Sequence, residues 1–377
     1  MNYKIIEVTN NHLLKDFIDL PYKLYKDDPN FVPFIKLYTK QTVKGKNNML
    51  FSNGIHVTYI LKDGKKTIGR LIVGIDYKTN KETDSQRGYI SLFECINDEK
   101  AAFMLFDYAK TWLKEKRMDW IEGPISPSDG DDFRALLCKG FDSPPVLFDS
   151  YNPKFYLDLF EAYGFKRHRE YHAFHFTEDS FPSDRFLKVV EYSMKKYNFR
   201  IDTVNLKKID REIEDIRKVL LKAVPESWDT HFVVPSVEDI KKETNMLMKF
   251  LDPELVCIAR KNDTNEPIGF VVGTPDYNQV FAKMNGTLFP FGIFKLLYYR
   301  KKITRVRIFM QFVIPEFQGR AVNAAIFYNY MLNAERKGII DAEGSTVSEE
   351  NAQALRVLEA AGGDRYKTYR MYSELIA

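Results

Sequence analysis

Apolar and polar positions alternate in a similar way in two stretches of the chain, one in each half. Residues 60–75 (ILKDGKKTIGRLIVGI) and 258–274 (IARKNDTNEPIGFVVGT) each contain an apolar run, a polar turn and a second apolar run. This alternation predicts a β-hairpin in each stretch. The Ile-Gly pairs at 68–69 and 268–269 occupy the same place in the two hairpins, which indicates an internal repeat.

Two further patterns follow each hairpin in the same order. A helix and then a strand are predicted at 109–123 and again at 334–344. A second helix ending in glycine, the usual residue after a helix C-terminus, is predicted at 159–165 and again at 357–363. Each half therefore predicts hairpin, strand, helix, strand, helix and strand. That order gives an α/β fold in which a mixed, mainly antiparallel sheet is flanked by helices.

The repeat predicts two tandem domains. A chain of 377 residues exceeds one ordinary hydrophobic core. The polar stretch near 177–184 is the expected boundary, which gives an N-terminal domain over 1–180 and a C-terminal domain over 181–377. The second half also carries an insertion around 288–302, before its helix–strand pair.

Composition excludes several classes of protein. A hydrophobic fraction of 45% and a charged fraction of 29% are those of a folded globular protein. The net charge of +4 is too small to indicate nucleic-acid binding by itself. Three widely separated cysteines predict free thiols and no disulfide framework. The sequence shows neither a signal peptide nor a membrane-spanning run, so we expect a cytoplasmic protein.

The second half contains a pattern typical of anion binding. Residues 305–314 (RVRIFMQFVI) read as a buried strand, and an apolar-periodic helix begins near Val322. A tight turn between a strand and a helix presents unpaired backbone N–H groups and the positive end of the helix dipole. A pyrophosphate is a natural ligand for such a turn. The alternative is a plain strand–helix turn that binds nothing.

This turn resembles the acyl-CoA loop of the GNAT (N-acetyltransferase) superfamily, whose pattern is Gln/Arg-x-x-Gly-x-Gly/Ala. The sequence from Gln318 to Asn323 matches it, and Asn351 begins a helix similar to the family's fourth helix. The resemblance implies two tandem GNAT-like domains, of which the first is degenerate. It also implies a bacterial acyl-CoA-dependent N-acyltransferase that uses acetyl-CoA or a longer acyl-CoA and no metal. The implied cofactor-binding residues are Val313, Ile314, Gln318, Gly319, Arg320, Ala321, Val322, Asn323 and Asn351.

Three positions depart from the family pattern. Ala321 stands where the family has glycine, and Asn323 stands where it has a small residue. We interpret the loop as a site with altered geometry and not as an inactive one. Leu358 stands where the family often places a tyrosine that acts as the general acid.

The first half lacks the loop. After its corresponding strand comes NDEKAAF (97–103), which has no Gln-x-x-Gly and places two acids where phosphates would bind. Acids are common at helix starts, and they also repel pyrophosphate. We therefore predict one active site per chain, with the N-terminal half shaping the acceptor pocket.

Candidate catalytic residues follow from the need to deprotonate an amine. Asp341, Glu343 and Ser345 share one face of the predicted strand after the third helix, and the family's thioester lies beside that strand. Glu343 is our candidate base, direct or through water, although a solvated strand acid is an equal alternative. Tyr369 or Tyr372 in the closing strand is the candidate acid.

Three residues are candidates for the acceptor pocket. Trp228 and His231 lie near the start of the second half, where the family's acceptor-binding helices lie. Packing in the core or exposure on the surface is the alternative for both. Asp276 ends the second hairpin and is also explained by a simple turn. His168, His172 and His175 resemble a metal cluster, but their expected strand conformation separates them, so no metal site is predicted.

The insertion at 288–302 (LFPFGIFKLLYYRKK) joins aromatic and aliphatic residues to a basic end. It fits a helix lying at a membrane surface, a wall for a long acyl chain, or a helix buried between the halves. The first of these gives an expected peripheral contact with the inner membrane surface. With this insertion the chain has a weaker resemblance to bacterial ceramide-synthase-like acyltransferases, which implies a long-chain lipid amine as acceptor.

Two alternative functions remain. The first is a non-catalytic acyl-CoA- or lipid-binding protein, indicated by Ala321 and Leu358. The second is a nucleic-acid-associated acetyltransferase, which the near-neutral charge disfavours; we expect no nucleic-acid partner.

Overall fold

The computed structural model describes residues 2–45, 51, 53–125, 134–180, 184–224, 234, 236–238, 240–241 and 250–376. The strands are β1 (Tyr3–Glu7), β2 (Gly54–Asp63), β3 (Lys66–Asp76), β4 (Arg87–Cys95), β5 (Trp120–Gly123), β6 (Leu136–Lys139), β7 (Lys166–Thr177), β8 (Phe199–Thr203), β9 (Val256–Lys261), β10 (Pro267–Pro275), β11 (Arg305–Val313), β12 (Asp341–Ser348) and β13 (Asp364–Leu375).

The α-helices of the described residues are α1 (Asn11–Leu24), α2 (Lys36–Val43), α3 (Tyr77–Glu82), α4 (Glu99–Glu115), α5 (Phe155–Tyr163), α6 (Asp184–Lys196), α7 (Ile209–Ala223), α8 (Asn278–Phe281), α9 (Gly292–Tyr299), α10 (Val322–Glu335) and α11 (Ala352–Ala360).

The strands form one continuous mixed sheet with helices packed against it. Its order is β1-β2-β3-β4-β5-β13-β7-β12-β11-β10-β9-β8, and β6 joins through β13. The β4–β5 and β11–β12 pairs are parallel, and the other pairs are antiparallel. The predicted α/β class, a mixed and mainly antiparallel sheet flanked by helices, is confirmed.

The repeated Ile-Gly pairs have the same packing role in both halves. A Cβ atom on Gly69 of β3 would lie 2.8 Å from Leu105 Cδ1 of α4. A Cβ atom on Gly269 of β10 would lie 2.9 Å from Ile326 Cδ1 of α10. Real Cβ atoms do not approach other atoms this closely, so each glycine lets a helix pack directly on its sheet. The short sequence match therefore reflects a shared structural requirement.

The last strands of the two halves are exchanged. β13, from the C-terminal half, pairs with β5 and β7, while β7, from the N-terminal half, pairs with β12. The packing follows the same exchange. Tyr372 of β13 belongs to the N-terminal hydrophobic core, and Phe174 and Phe176 of β7 belong to the C-terminal one. A division of the chain at 180/181 stays a prediction.

The insertion at 288–302 is not buried between the halves. Within α9 only Gly292 is buried, while Phe291, Phe294 and Tyr298 are among the most exposed hydrophobic side chains of the described residues. Leu296 and Tyr299 pack partly against the C-terminal core. The buried-helix alternative was therefore wrong, because the segment rests on the core with one face only.

Candidate active site

The candidate site begins where β11 and β12 separate. They pair in parallel from Arg305 with Asp341 as far as Ile308 with Gly344. Beyond that point β11 continues against β10, while β12 stays paired with β7 on its other side. The separation leaves one edge of β11 without a strand partner and opens a cleft in the sheet.

The loop from Gln318 to Asn323 lies at the end of β11 and leads into α10. Gly319 and Ala321 both adopt left-handed backbone conformations, with φ values of +71° and 55°. Apart from its two chain neighbours, no atom of the described residues lies within 4 Å of the position that a Cβ on Gly319 would take. Ala321 caps α10 without a side-chain hydrogen bond, and the first turn contains no acidic residue. The helix start therefore has N–H groups without a side-chain cap, next to open space at Gly319, and such an arrangement suits a pyrophosphate.

The conformation of Ala321 explains why the family pattern has glycine there. A left-handed residue with a Cβ atom is strained by roughly 1–2 kcal/mol relative to the right-handed form, and glycine avoids the strain. Alanine is tolerated here because the flanking residues hold the loop. The substitution keeps the shape of the turn and adds a methyl group beside it.

Neighbouring side chains fix the loop. Ser193 of α6 donates a hydrogen bond to the carbonyl of Arg320. The Arg320 guanidinium lies 5.1 Å from the ring centre of Tyr197 and 5.2 Å from that of Phe317. Gln318 Nε2 donates to the Val313 carbonyl at 3.1 Å. These contacts hold a cation beside the loop, and no acid of the described residues pairs with it.

The other predicted cofactor residues have mainly structural contacts. Val313, Ile314 and Val322 are buried in the C-terminal core. Asn323 is exposed, and its carbonyl accepts a hydrogen bond from Gln311 at 2.9 Å. Asn351 caps α11 by accepting from the backbone N–H of Ala354 at 3.0 Å.

Glu343 lies at the point where the two strands separate, and it is fully buried. Ser345 Oγ donates to its Oε1 at 2.5 Å, and the Tyr366 hydroxyl donates to its Oε2. The alternative of a solvated strand acid was therefore wrong. Burial and the two hydroxyl donors fix the orientation of this carboxyl group.

A buried ion pair stands directly beside Glu343. The side chains of Arg307 and Asp149 are both fully inaccessible, with Nη2 2.8 Å from Oδ1. Arg307 also donates to Ser345 Oγ at 2.9 Å and to the Leu147 carbonyl at 2.5 Å. Tyr369 donates its hydroxyl to Asp149 Oδ2 at 3.1 Å. The N-terminal half thus contributes a carboxylate to a cluster built on the strands of the C-terminal half.

Two groups of the cluster, Glu343 and Tyr369, have raised pKa values. Burial is the main cause that raises the pKa of Glu343 well above its ordinary value, and the negative charge of Asp149 adds to it. Arg307 and the hydrogen bond from Ser345 act in the opposite direction. Burial and Asp149 likewise raise the pKa of the Tyr369 hydroxyl. The cluster therefore binds a proton at pH values where an exposed glutamate is ionised.

A cavity of about 160 Å³ reaches this cluster from the N-terminal half. Asp149 stands in its wall, together with Tyr22, Phe34 and Phe148. Residues 92–94 of β4 also line it. The parallel pairing of β4 with β5 ends at Tyr89 and Glu122, and residues 92–94 lie beyond that point. The cavity therefore lies where the sheet opens in the N-terminal half.

A second buried charged pair lines the cavity away from Glu343. Arg70 Nη2 lies 3.5 Å from Glu94 Oε1, and Arg70 donates to the Phe17 carbonyl at 2.7 Å. The hydroxyls of Tyr25 and Tyr156 donate to Glu94 Oε2 at 2.5 and 2.9 Å. Within the described part of the chain, Arg70 Nε has no hydrogen-bond partner. The cavity is thus apolar along much of its wall and carries polar groups at separate points.

Asp276 adjoins the cluster through Leu147, and the other remaining candidates lie elsewhere or outside the described residues. Asp276 is buried, which raises its pKa to about 7, and its Oδ1 accepts from the backbone N–H groups of Leu147 and Asn278. Tyr372 lies in the N-terminal core and donates its hydroxyl to the exposed Glu161 at 2.8 Å. Trp228 and His231 lie outside the described residues. No group of metal-ligating side chains occurs among the described residues.

Asp149, Arg307 and Tyr366 were missed by the sequence analysis. A detectable signal existed for Arg307, which interrupts the apolar strand between Val306 and Ile308. A charged side chain in a strand buried on both faces needs a buried partner. No local signal identified Asp149, because its partner lies in the other half of the chain.

Sequence comparison finds two similar curated proteins, and no family model matches the chain. The protein YghO of Escherichia coli (strain K12) is 28% identical over 376 residues, which cover 97% of this chain and 94% of that protein. The bacterial ceramide synthase of Caulobacter vibrioides is 25% identical over 381 residues, covering 99% and 97%. The chain is thus similar to both along nearly its whole length.

Solved structures that share this fold include GNAT proteins. A tandem GNAT protein from the clavulanic acid biosynthesis pathway aligns with a TM-score of 0.62 and 9% identity, covering 100% of this chain and 99% of that one. A GCN5-related N-acetyltransferase from Sphaerobacter thermophilus aligns with a TM-score of 0.57 and 11% identity, covering 99% and 96%. Together with the repeated halves, the separated parallel strands and the loop before α10, these matches confirm the resemblance: the chain has the tandem GNAT fold.

Proposed function

We propose that this chain is an N-acyltransferase that moves an acyl group from acyl-CoA to an amine. The observation that carries the proposal is the buried cluster of Glu343, Asp149 and Arg307 at the point where β11 and β12 separate. The fold and the ceramide synthase relative support N-acyltransferase activity in general.

Donor binding is assigned to the loop before α10. The N–H groups around Gly319 and Ala321 would hold the pyrophosphate, and the nearby Arg320 guanidinium would add a positive charge. The unpaired edge of β11 beyond Ile308 offers backbone N–H and C=O groups to the amides of the pantetheine arm. The thioester then reaches the cleft beside Glu343.

The amine must lose a proton before it can attack. An alkylammonium with a pKa of about 10.4 is neutral only about once in 10³ molecules at pH 7, a handicap of roughly 4–5 kcal/mol. Glu343 takes this proton, and the nitrogen attacks the thioester carbonyl carbon to form a C–N bond. The C–S bond then breaks and releases CoA thiolate.

The remaining proton transfers use the same cluster. Tyr369 gives its proton to the departing thiolate, and the second proton of the attacking nitrogen restores the tyrosine through Asp149. The products are an amide and the CoA thiol, and Glu343 returns its proton to solvent. Arg307 keeps its charge throughout and stabilises the carboxylates.

For the acceptor we propose a long-chain lipid amine. The apolar and aromatic lining of the cavity suits a hydrophobic body, while the polar groups at separate points of its wall suit the amine end. The relative named a ceramide synthase adds support. Because acyl-CoA is a cytoplasmic metabolite, we expect the protein in the cytoplasm, with access to a membrane surface.

The test is a matrix of acetyl-CoA and long-chain acyl-CoA donors against short polar amines and long-chain amines. Acyl-amine products are measured by mass spectrometry and CoA thiol by a colorimetric assay. We expect the fastest turnover with a long-chain amine, and a large loss in Glu343→Gln. Thermal stabilisation by acyl-CoA without any product would instead indicate a non-catalytic acyl-CoA-binding protein.

A further inference from the structure

The segment 288–302, which we call the aromatic segment, exposes an unusual hydrophobic surface. Phe289, Phe291 and Phe294 are 64%, 73% and 68% exposed, and Tyr298 is 58% exposed. Phe291, Phe294 and Tyr298 are spaced by three and four residues, so they share one side of the α9 region. A helix that is apolar on every side is normally buried, whereas this one is covered on one side only.

The opposite side of α9 is already occupied. Leu288, Leu296 and Tyr299 pack partly against the C-terminal core, and Lys295 Nζ donates to the carbonyl of Lys283 at 2.8 Å. The segment is therefore held in place by its inner face and its ends. The outward aromatics are presented by a supported element and not by a loose loop.

Positive charge surrounds these aromatics. The chain contains no acidic residue between Asp276 and Glu316. In that interval Lys283, Lys295 and the run 300–302 are exposed. None of these five cations forms an ion pair with a carboxylate in the part of the chain that the structure describes. Lys302 donates instead to the Tyr298 hydroxyl at 2.7 Å.

We infer that the aromatic segment docks on the surface of a bilayer that contains anionic lipids. Aromatic side chains on one face enter the boundary between headgroups and acyl chains, and neighbouring lysines and arginines contact anionic headgroups. A second copy of this chain fits less well, because two copies meeting face to face would bring the same cations together. No helix of the described residues is long and apolar enough to cross a bilayer, so the contact is at the surface.

Docking in this way would bring the cavity close to the lipid. Lys36 of α2 donates its backbone N–H to the Gly286 carbonyl at 3.0 Å, just before the aromatic segment. A Cβ on Gly286 would lie 2.3 Å from the ring of Tyr22, which lines the cavity. Asn278 of α8 also lines it. The surface facing the bilayer therefore adjoins the wall of the proposed acceptor pocket.

The experiment measures co-flotation of the full chain with vesicles, without acyl-CoA or acceptor. Vesicles of phosphatidylcholine alone are compared with an equimolar mixture of phosphatidylcholine and phosphatidylglycerol. We expect binding to the mixed vesicles that weakens as salt is added. Phe291→Ser with Phe294→Ser should lower binding on the order of tenfold or more, because both rings lose apolar contact with the lipid.

Matched variants distinguish vesicle binding through the aromatic segment from binding through other exposed residues. Tyr108→Ser with Leu221→Ser changes two exposed hydrophobic residues on α4 and α7, and should bind like the wild type. Lys301→Glu with Lys302→Glu should lower binding to the mixed vesicles by roughly tenfold or more. The same reversal at the exposed Lys207 and Lys208 should have a much smaller effect. Circular dichroism verifies that every variant is folded.

Three results would overturn the inference. The first is wild-type protein that does not float with either vesicle, and the second is a serine variant that floats as well as the wild type. The third is a concentration-dependent dimer in sedimentation, without vesicle binding, that the serine variant abolishes; this would assign the surface to a second copy. Because flotation needs no turnover, failure of the proposed acyl transfer would leave this test intact.

Discussion

The two halves of the chain open their sheets at the same place but with different chemistry. In the C-terminal half, β11 and β12 separate after the residue pairs Arg307 with Glu343 and Ile308 with Gly344. In the N-terminal half, β4 and β5 separate after the pair Tyr89 with Glu122. Glu122 and Glu343 each precede a glycine at the same position of the repeat. The two openings therefore share a backbone arrangement, and the difference between them lies in their side chains.

The helix that follows each opening shows one difference. Asp98 caps α4 by accepting from the N–H of Ala101 at 2.7 Å, and Glu99 stands in its first turn. The corresponding turn of α10 has neither a side-chain cap nor an acid. An acid that satisfies the free N–H groups of a helix start also occupies the place where a pyrophosphate would bind. This difference supports the prediction of a single CoA site.

The repeated glutamates show the other difference. Glu343 is fully buried with Ser345, Tyr366 and the Arg307–Asp149 pair, whereas Glu122 is partly exposed and lies 3.9 Å from Arg87. Burial and a neighbouring negative charge raise a carboxyl pKa, and partial exposure screens both effects. The N-terminal opening instead became an apolar cavity.

The sequence was informative wherever the structure depends on local pattern. Both hairpins, the strand–loop–helix around Gln318 and the repeat marked by Gly69 and Gly269 follow from periodicity and turn chemistry. Exchange of β7 and β13 has no local signature, because each strand can pair with either half. The Asp149–Arg307 pair depends on that same long-range arrangement. The loop was thus found from the sequence, while half of the buried cluster was not.

The largest effect is expected from matched changes of the repeated glutamates. Glu343→Gln should lower the acylation rate at pH 7 by about 10²–10⁴, because the base is lost, while CoA affinity stays nearly unchanged. Glu122→Gln should leave the rate within a few-fold. Steady-state kinetics and calorimetry measure both.

The pH dependence should differ in the same experiment. Glu343 must be ionised to accept a proton, so the wild-type rate should rise with pH through its raised pKa. In the glutamine variant the rise should follow the amine's own pKa, so the deficit shrinks as the pH increases. If Glu343→Gln and Glu122→Gln lowered the acylation rate equally, the effect would depend on the shared position of these residues in the repeat and not on the buried cluster.

The two buried arginines offer a comparison of stability. Arg307→Leu should lower the free energy of unfolding by about 3–5 kcal/mol, because Asp149 keeps a buried charge without a partner. Arg70→Leu should have a smaller effect, since Glu94 is 3.5 Å away, more accessible and also held by two tyrosines. Chemical denaturation measures both, and a larger loss for Arg70→Leu would contradict the ranking.

Acidic residues placed in the loop before α10 should weaken CoA binding there, as we expect the acids at the start of α4 to do in the N-terminal half. Gly319→Asp with Arg320→Glu should weaken CoA binding at least tenfold, because carboxylates then face the pyrophosphate. Removing acids from the other helix, by Asp98→Ser with Glu99→Gln, should leave one CoA per chain in a calorimetric titration. A second equivalent of CoA, in that variant or in the wild type, would show that the N-terminal opening also binds the donor.

The smallest expected effect comes from restoring the family's glycine. Ala321→Gly relieves a left-handed strain of roughly 1–2 kcal/mol, while the greater freedom of glycine in the unfolded chain offsets part of that gain. We expect a net stabilisation of about 0.5–1 kcal/mol in chemical denaturation, and CoA affinity that is equal or higher because a methyl group leaves the loop. Ala325→Gly, one turn later in the regular part of α10, is the matched control and should destabilise by about 1 kcal/mol. If both variants lose stability equally, the left-handed conformation of Ala321 is not strained, and the departure from the family pattern at this position has no energetic cost.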